Sequence, residues 1–173
     1  MRRAMVAPPA GRKAAILARF GAVALAALLS GCGIFTQASG PVATRLVLAS
    51  KPADGETAAA MISQYRRAHG LSPVSSDAAL TEAAEKQARV VAAAGALSHG
   101  DFASRMASFG IKGVSAENLS AGRSTVAEVI AGWKASQGHN ENLLLDGVHR
   151  NGIARIDTPG VGYVQYWALV LSQ

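Results

Sequence analysis

The chain has 173 residues, enough for one ordinary domain. Its formal charge is +6, but five of its 17 basic residues and none of its 11 acids precede Cys32, so the remainder has 12 basic and 11 acidic residues and a charge of only +1. A domain this close to neutral lacks the basic surface that recognises phosphate, so nucleic acid is excluded as a partner. Cys32 is the only cysteine, which also excludes an internal disulfide and a thiol nucleophile in the domain.

The segment before Cys32 has the organisation of an export signal. A basic stretch ends at Arg19, and residues 20–29 form an apolar run that is too short for a membrane span of about 20 residues. Leu29-Ser30-Gly31-Cys32 then resembles the lipobox of bacterial lipoproteins. The resemblance implies removal of residues 1–31, lipid on the Cys32 thiol and usually a further acyl chain, such as palmitate, on its amine. An ordinary secretory signal with a chance cysteine is the alternative.

The chain beyond the signal is predicted to comprise a tether and one domain. Residues 32–55 hold the lipid-anchored cysteine and a flexible stretch with several Gly, Pro and Ser, and residues 56–173 are long enough for a single core. The resemblance to lipoproteins implies attachment to the periplasmic face of a membrane. The outer membrane is favoured, because Gly33 stands where an Asp is associated with retention in the inner membrane.

The domain is predicted to begin with helices and to end with a β-hairpin. Helices are expected over residues 56–68, 78–94 after a cap at Asp77, 101–109, and from a cap at Ser124 to Gly138. Strands are expected over 114–119, 152–156 and 163–171. The predicted inner faces of the second and last helices comprise Leu80, Ala83, Ala84, Gln87, Val90 and Val91, and Val126, Val129, Ile130 and Trp133. Helices followed by a late hairpin favour an α+β fold.

Several stretches, taken in order, resemble the CAP superfamily of secreted proteins. They are residues 65–73 (YRRAHGLSP), Ser98-His99, Ala116-Glu117-Asn118-Leu119, residues 133–144 (WKASQGHNENLL) and residues 166–171 (YWALVL). This superfamily includes cysteine-rich secretory proteins, insect venom antigens, plant pathogenesis-related proteins and small bacterial envelope proteins. The resemblance implies a CAP-type α-β-α sandwich with a small antiparallel sheet between helices, and a cleft.

The resemblance also implies which residues line that cleft. In many members two histidines and two acids do so, and the histidines hold a divalent metal, often zinc. By position, His99 and His139 are the histidines, Glu117 is the first acid, and Ser136 stands where many eukaryotic members have the second acid. Zinc favours imidazole and carboxylate ligands with an open position for water. One zinc or other divalent ion on His99 and His139 is therefore expected as the cofactor.

The same residues also have simpler interpretations. His99 reads as a surface histidine before a glycine turn, Glu117 as a strand-edge acid bound to local amides, and His139 as a histidine at a helix C-terminus. Ser136 departs from the eukaryotic members, but bacterial members commonly have Ser at that place as well. Further departures are Asn140, where bacterial relatives usually have Arg, and Leu169, where Gln is usual. Trp133 is predicted to lie in the core, Asn118 and Asn142 to close turns, and His69 and His149 to have no role in the cleft. Tyr166 and Trp167 are predicted to lie on opposite faces of a strand, one packed inward and the other free to line the cleft.

Three functions remain open from the sequence. The first is an envelope-anchored binding or interaction module whose cleft takes a lipid, a peptide or a wall component. The second is a metal-dependent hydrolase acting on peptide or envelope material, with Glu117 as the general base on a metal-bound water. The third is a structural envelope protein with a vestigial cleft. A Ser136–His139–Glu117 nucleophile is disfavoured, because the chain has no Gly-x-Ser-x-Gly elbow.

Overall fold

A computed structural model of the chain describes residues 45–160 and 162–173. The predicted signal peptide, Cys32 and the first part of the predicted tether lie outside the described residues. Within residues 45–160 and 162–173, no helix has both the length and the apolar character that a membrane crossing requires.

The described residues form five helices and five strands, which confirms the α+β class. The helices are α1 (Pro52–Ala68), α2 (Ala78–Ala94), α3 (Phe102–Ser108), α4 (Val126–Ala135) and α5 (Gln137–Leu143). The strands are β1 (Val47–Leu48), β2 (Ser75–Ser76), β3 (Ser115–Ala121), β4 (Arg150–Asp157) and β5 (Gln165–Ser172).

The strands form one sheet whose main path is antiparallel. The order is β1-β4-β5-β3, and β2 adds a two-residue parallel pairing to β4. The predicted late hairpin is present as the β4–β5 pair, in which Ala154 lies opposite Ala168. On the other side of β5, Asn118 of β3 lies opposite Leu169. This register places β3, which carries Glu117, at one edge of the sheet.

Side chains of β5 alternate between two apolar cores, one on each face of the sheet. Tyr166, Ala168 and Val170 pack in a core with α2, and Trp167, Leu169 and Leu171 pack in a second core with α1 and α4. Tyr166 and Trp167 therefore lie on opposite faces, as predicted, although both are buried. The predicted α-β-α sandwich is confirmed.

The ends of α2 agree with the sequence prediction, whereas those of α4 do not. The Asp77 side chain accepts a hydrogen bond from the Leu80 amide at 2.9 Å, and Gly95 ends α2 with a φ of 64°. The cap of α4 is Thr125 rather than Ser124, with the Thr125 hydroxyl 3.2 Å from the Glu128 amide. At Ser136 the backbone becomes extended, so α4 ends there, and Gly138 belongs to α5.

Two further expectations about the helices are corrected. Residues 47–48 pair with β4, and α1 begins at Pro52, so the last part of the predicted 32–55 tether contributes a strand and a helical turn. Val90 of α2 was expected on the inner face but is 53% exposed. The sheet packs instead against a line that includes Ala88 and Ala92, whose small side chains let the helix lie close to the strands.

Candidate functional site

The fold brings His99 and Glu117 into direct contact. His99 lies in the loop between α2 and α3, and its Nδ1 is 2.9 Å from Oε1 of Glu117 on β3. The Glu117 side chain is 2% exposed, whereas that of His99 is 57% exposed. Because a carboxylate only accepts hydrogen bonds, this contact places a proton on Nδ1.

Arg105 of α3 binds the other oxygen of Glu117. Its guanidinium pairs with Oε2 of Glu117 and also donates to the side-chain oxygen of Gln87 and, at 3.1 Å, to the His99 carbonyl. The Gln87 amide donates in turn to the Ser98 carbonyl. Burial raises the pKa of Glu117, and the hydrogen bond from His99 and the charge of Arg105 oppose that rise.

Glu117, the predicted general base, is buried, and each of its carboxylate oxygens already accepts a hydrogen bond, one from His99 and one from Arg105. Each oxygen keeps a second lone pair, so the role as a general base stays a prediction. The contacts orient the His99 imidazole and tie the loop that carries it to β3 and α3.

His139 and Ser136 line a second part of the site, an open groove of about 310 Å³ between β3, α4 and α5. The His139 backbone carbonyl accepts a hydrogen bond from the Asn118 side chain at 3.0 Å. Burial, and then the charge of His99, lower the pKa of His139, so its imidazole is neutral at neutral pH. Ser136 begins α5, but its hydroxyl makes no capping hydrogen bond.

A catalytic zinc site needs three protein ligands within reach of one ion. Among the described residues, no group of three or more His, Cys, Asp or Glu side chains is arranged to hold a metal. Glu117 is committed to Arg105, and Ser136 supplies no carboxylate. The two imidazoles that remain are fewer than the three protein ligands of a catalytic zinc site, so the residues do not fit such a site.

The model of the cysteine-rich secretory protein family, CAP, matches residues 59–171. This chain belongs to the CAP family. Similar solved structures are an outer surface protein from Borrelia burgdorferi (TM-score 0.65, 17% identity, 75% of this chain and 98% of that one) and an extracellular protein with an SCP domain from Bacillus anthracis (0.60, 18%, 70% and 40%). A cysteine-rich secretory protein from Staphylococcus aureus is also similar (0.58, 16%, 72% and 40%). No curated protein sequence matches the chain. These identities establish the fold, and function must be argued from the site.

Asparagine side chains of the CAP domain form hydrogen bonds that join its helices and strands. Asn140 accepts a hydrogen bond from the Tyr65 hydroxyl at 2.8 Å, which joins α5 to α1. Asn142 donates to the Glu117 carbonyl at 3.1 Å and to Asn118 at 2.9 Å. Rather than closing turns as predicted, the two asparagines therefore lie in β3 and α5 and hold the helix against the strand. Leu169 is fully buried.

The remaining predicted residues have the simple placements expected of them. Trp133 is 1% exposed, and its indole donates to the Leu119 carbonyl at 3.1 Å. His69 caps the C-terminus of α1, and His149 is exposed.

Sequence reasoning missed Arg105 and Arg123. Arg105 is buried on α3. Arg123 follows β3 in a loop and lines the groove. Neither arginine belongs to a local motif. A long charged side chain beside an otherwise apolar helix face, as at Arg105, was the only available signal.

Proposed function

We propose that this protein is an envelope lipoprotein whose CAP domain acts as a binding module through the groove between β3, α4 and α5. The observation that carries this proposal is the engagement of both Glu117 oxygens, by His99 and by Arg105. That arrangement orients the His99 imidazole and engages Glu117 with Arg105, which favours binding over chemistry at Glu117. The groove itself is lined by polar groups of Arg123, Ser136 and His139, which are of the kind that orient a bound ligand.

The proposed anchor is lipid on Cys32, on the periplasmic side of the outer membrane. It is supported by the lipobox-like sequence before Cys32 and by similar folds in an outer surface protein and an extracellular protein. Several acyl chains give a firm anchor, because each buried methylene contributes about 0.8 kcal/mol. We expect Cys32→Ser to abolish incorporation of labelled palmitate and to release the protein from membranes. Unchanged labelling in that variant would contradict the anchor.

Gly132 offers a direct test of the groove. It lies on α4, and the atoms nearest to a Cβ built there belong to the Arg123 side chain, at 3.6 Å or more. Alanine therefore fits and favours the helix by up to about 1 kcal/mol, whereas leucine extends into the groove. We expect Gly132→Leu to abolish ligand binding and Gly132→Ala to retain it.

The measurement is an NMR titration of the full chain in detergent with a defined panel of muramyl peptides, short neutral peptides and short-chain lipids. Binding should shift the backbone amides of Ser120, Ser136 and His139 in the parent and in Gly132→Ala only. A panel that never shifts these amides would contradict the binding module and favour a structural protein with a vestigial cleft. Uptake of one zinc per chain, lost in both His99→Ala and His139→Ala, would instead favour the metal-dependent hydrolase.

A further inference from the structure

Arg123 is a cation that lines the groove, and none of the described residues supplies it with a counter-ion. Its backbone carbonyl accepts a hydrogen bond from the Trp167 indole at 2.7 Å, which fixes the residue at the end of β3. Within residues 45–160 and 162–173, its guanidinium makes no hydrogen bond, ion pair or stacking contact, although Nε lies 3.6 Å from the position of a Cβ on Gly132. The five N–H donors of this side chain are therefore available beside the groove.

The described lining of the groove around Arg123 offers hydrogen-bond donors and no acid. Ser136, which directly follows α4, lines the groove together with Gly132 and Arg123. Ser120 and the neutral imidazole of His139 also line the groove, and none of its described lining residues is Asp or Glu. The local charge of the described groove is thus positive.

Two exposed apolar side chains also line the groove. Leu97 is 49% exposed and Tyr163 is 59% exposed. A ligand whose anion reached Arg123 would place its adjoining carbon atoms against these two side chains. Burial of such apolar surface adds affinity to the polar contact.

Building on the binding module proposed above, we propose that the groove binds the carboxylate of a small ligand that carries an apolar substituent next to it. The planar guanidinium of Arg123 matches a carboxylate with two parallel hydrogen bonds, and a single positive charge balances its single negative charge. The hydroxyl of Ser136 donates a further hydrogen bond. Leu97 and Tyr163 contact the apolar substituent.

The experiment compares matched acids and amides on the full chain in detergent by NMR titration. N-acetyl-leucine and hexanoate represent the two sources of such a carboxylate, a peptide C-terminus and a fatty acid, and N-acetyl-leucinamide is the neutral control. We expect at least one acid to shift the groove amides and to bind about tenfold or more tightly than its neutral counterpart. Binding of only one acid identifies the source.

Variants separate the specific contact from general electrostatics. Arg123→Gln should weaken acid binding about tenfold, and Lys112→Gln, which removes one exposed charge outside the groove lining, should change it less than about twofold. Ser136→Glu should also weaken acid binding, because it introduces a negative charge beside the ligand. Equal binding of acid and amide, or an unchanged affinity in Arg123→Gln, would overturn the carboxylate site. If only neutral members of the first panel bound, the binding module would stand and this inference would fall.

Discussion

Replacing Gly152 with alanine is expected to lower the free energy of unfolding by about 3 kcal/mol or more. Gly152 lies on β4 where α2 crosses the sheet, and a Cβ there would lie 2.1 Å from both the Leu80 carbonyl carbon and the Thr81 amide nitrogen. These are main-chain atoms of a helix, so no side-chain rotation relieves the clash. Either α2 or β4 has to move, and both are central to one of the two cores.

The measurement is urea denaturation, in which the midpoint falls while the slope stays constant if the native state keeps its fold. Gly138→Ala is the matched control, because Gly138 lies within α5 and a Cβ there meets nothing within 4 Å. It should be neutral or stabilising by up to about 1 kcal/mol. Equal stability of the two alanine variants would show that α2 and β4 do not approach as closely as the structure indicates.

The contrast between these glycines shows what sequence alone predicts. Gly95 was predicted to end α2, because a helix stop is a local pattern that one glycine after a run of alanines conveys. The need for glycine at position 152 depends on α2, some 70 residues earlier in the chain, and no local pattern encodes it. Local signals likewise predicted the Asp77 cap and the late hairpin, whereas the global arrangement came from the family resemblance.

The residues of the site divide in the same way, into those that a sequence pattern indicates and those that only long-range packing reveals. Positions matched to the family selected His99, Glu117 and His139, and in the structure His99 and Glu117 are hydrogen-bonded. Arg105 belongs to no such motif, although it binds the other oxygen of Glu117. Its pairing joins α3 to β3 across a loop, so only packing reveals it.

Arg66 is expected to give the second large effect, a loss of about 4 kcal/mol in the free energy of unfolding when it is replaced by alanine. The side chain is fully buried in α1, and its guanidinium donates to four backbone carbonyls at 2.8–3.2 Å, those of Ser72, Leu143, Leu145 and Val148. Burial lowers the pKa of Arg66, and the charge of Asp146 offsets part of that effect, but an arginine remains charged. Alanine would leave a cavity and deprive these carbonyls of their donor.

The partners of Arg66 connect its stability role to the groove. Leu143 ends α5 and Leu145 follows it, so the guanidinium fixes the end of the helix that carries His139. Arg66→Ala should therefore also broaden or shift the amide resonances of α5 in the native state at low temperature. Arg66→Lys should recover only part of the stability, because a compact ammonium cannot reach four carbonyls in the way a planar fork does.

The neighbouring arginine provides the control for charge and helix propensity. Arg67 lies on the same helix and is exposed, and in the described part of the chain its side chain makes no hydrogen bond or ion pair. Arg67→Ala should change the free energy of unfolding by less than about 0.5 kcal/mol. If Arg66→Ala and Arg67→Ala were equally stable, the carbonyl contacts would contribute nothing net, and other contacts of α5, among them the hydrogen bonds of Asn118, Asn140 and Asn142, would hold it in position. A large loss of unfolding free energy in Arg66→Ala but not in Arg67→Ala, together with shifted α5 resonances, would show that the buried cation of Arg66 on α1 holds α5, and with it the groove, in position.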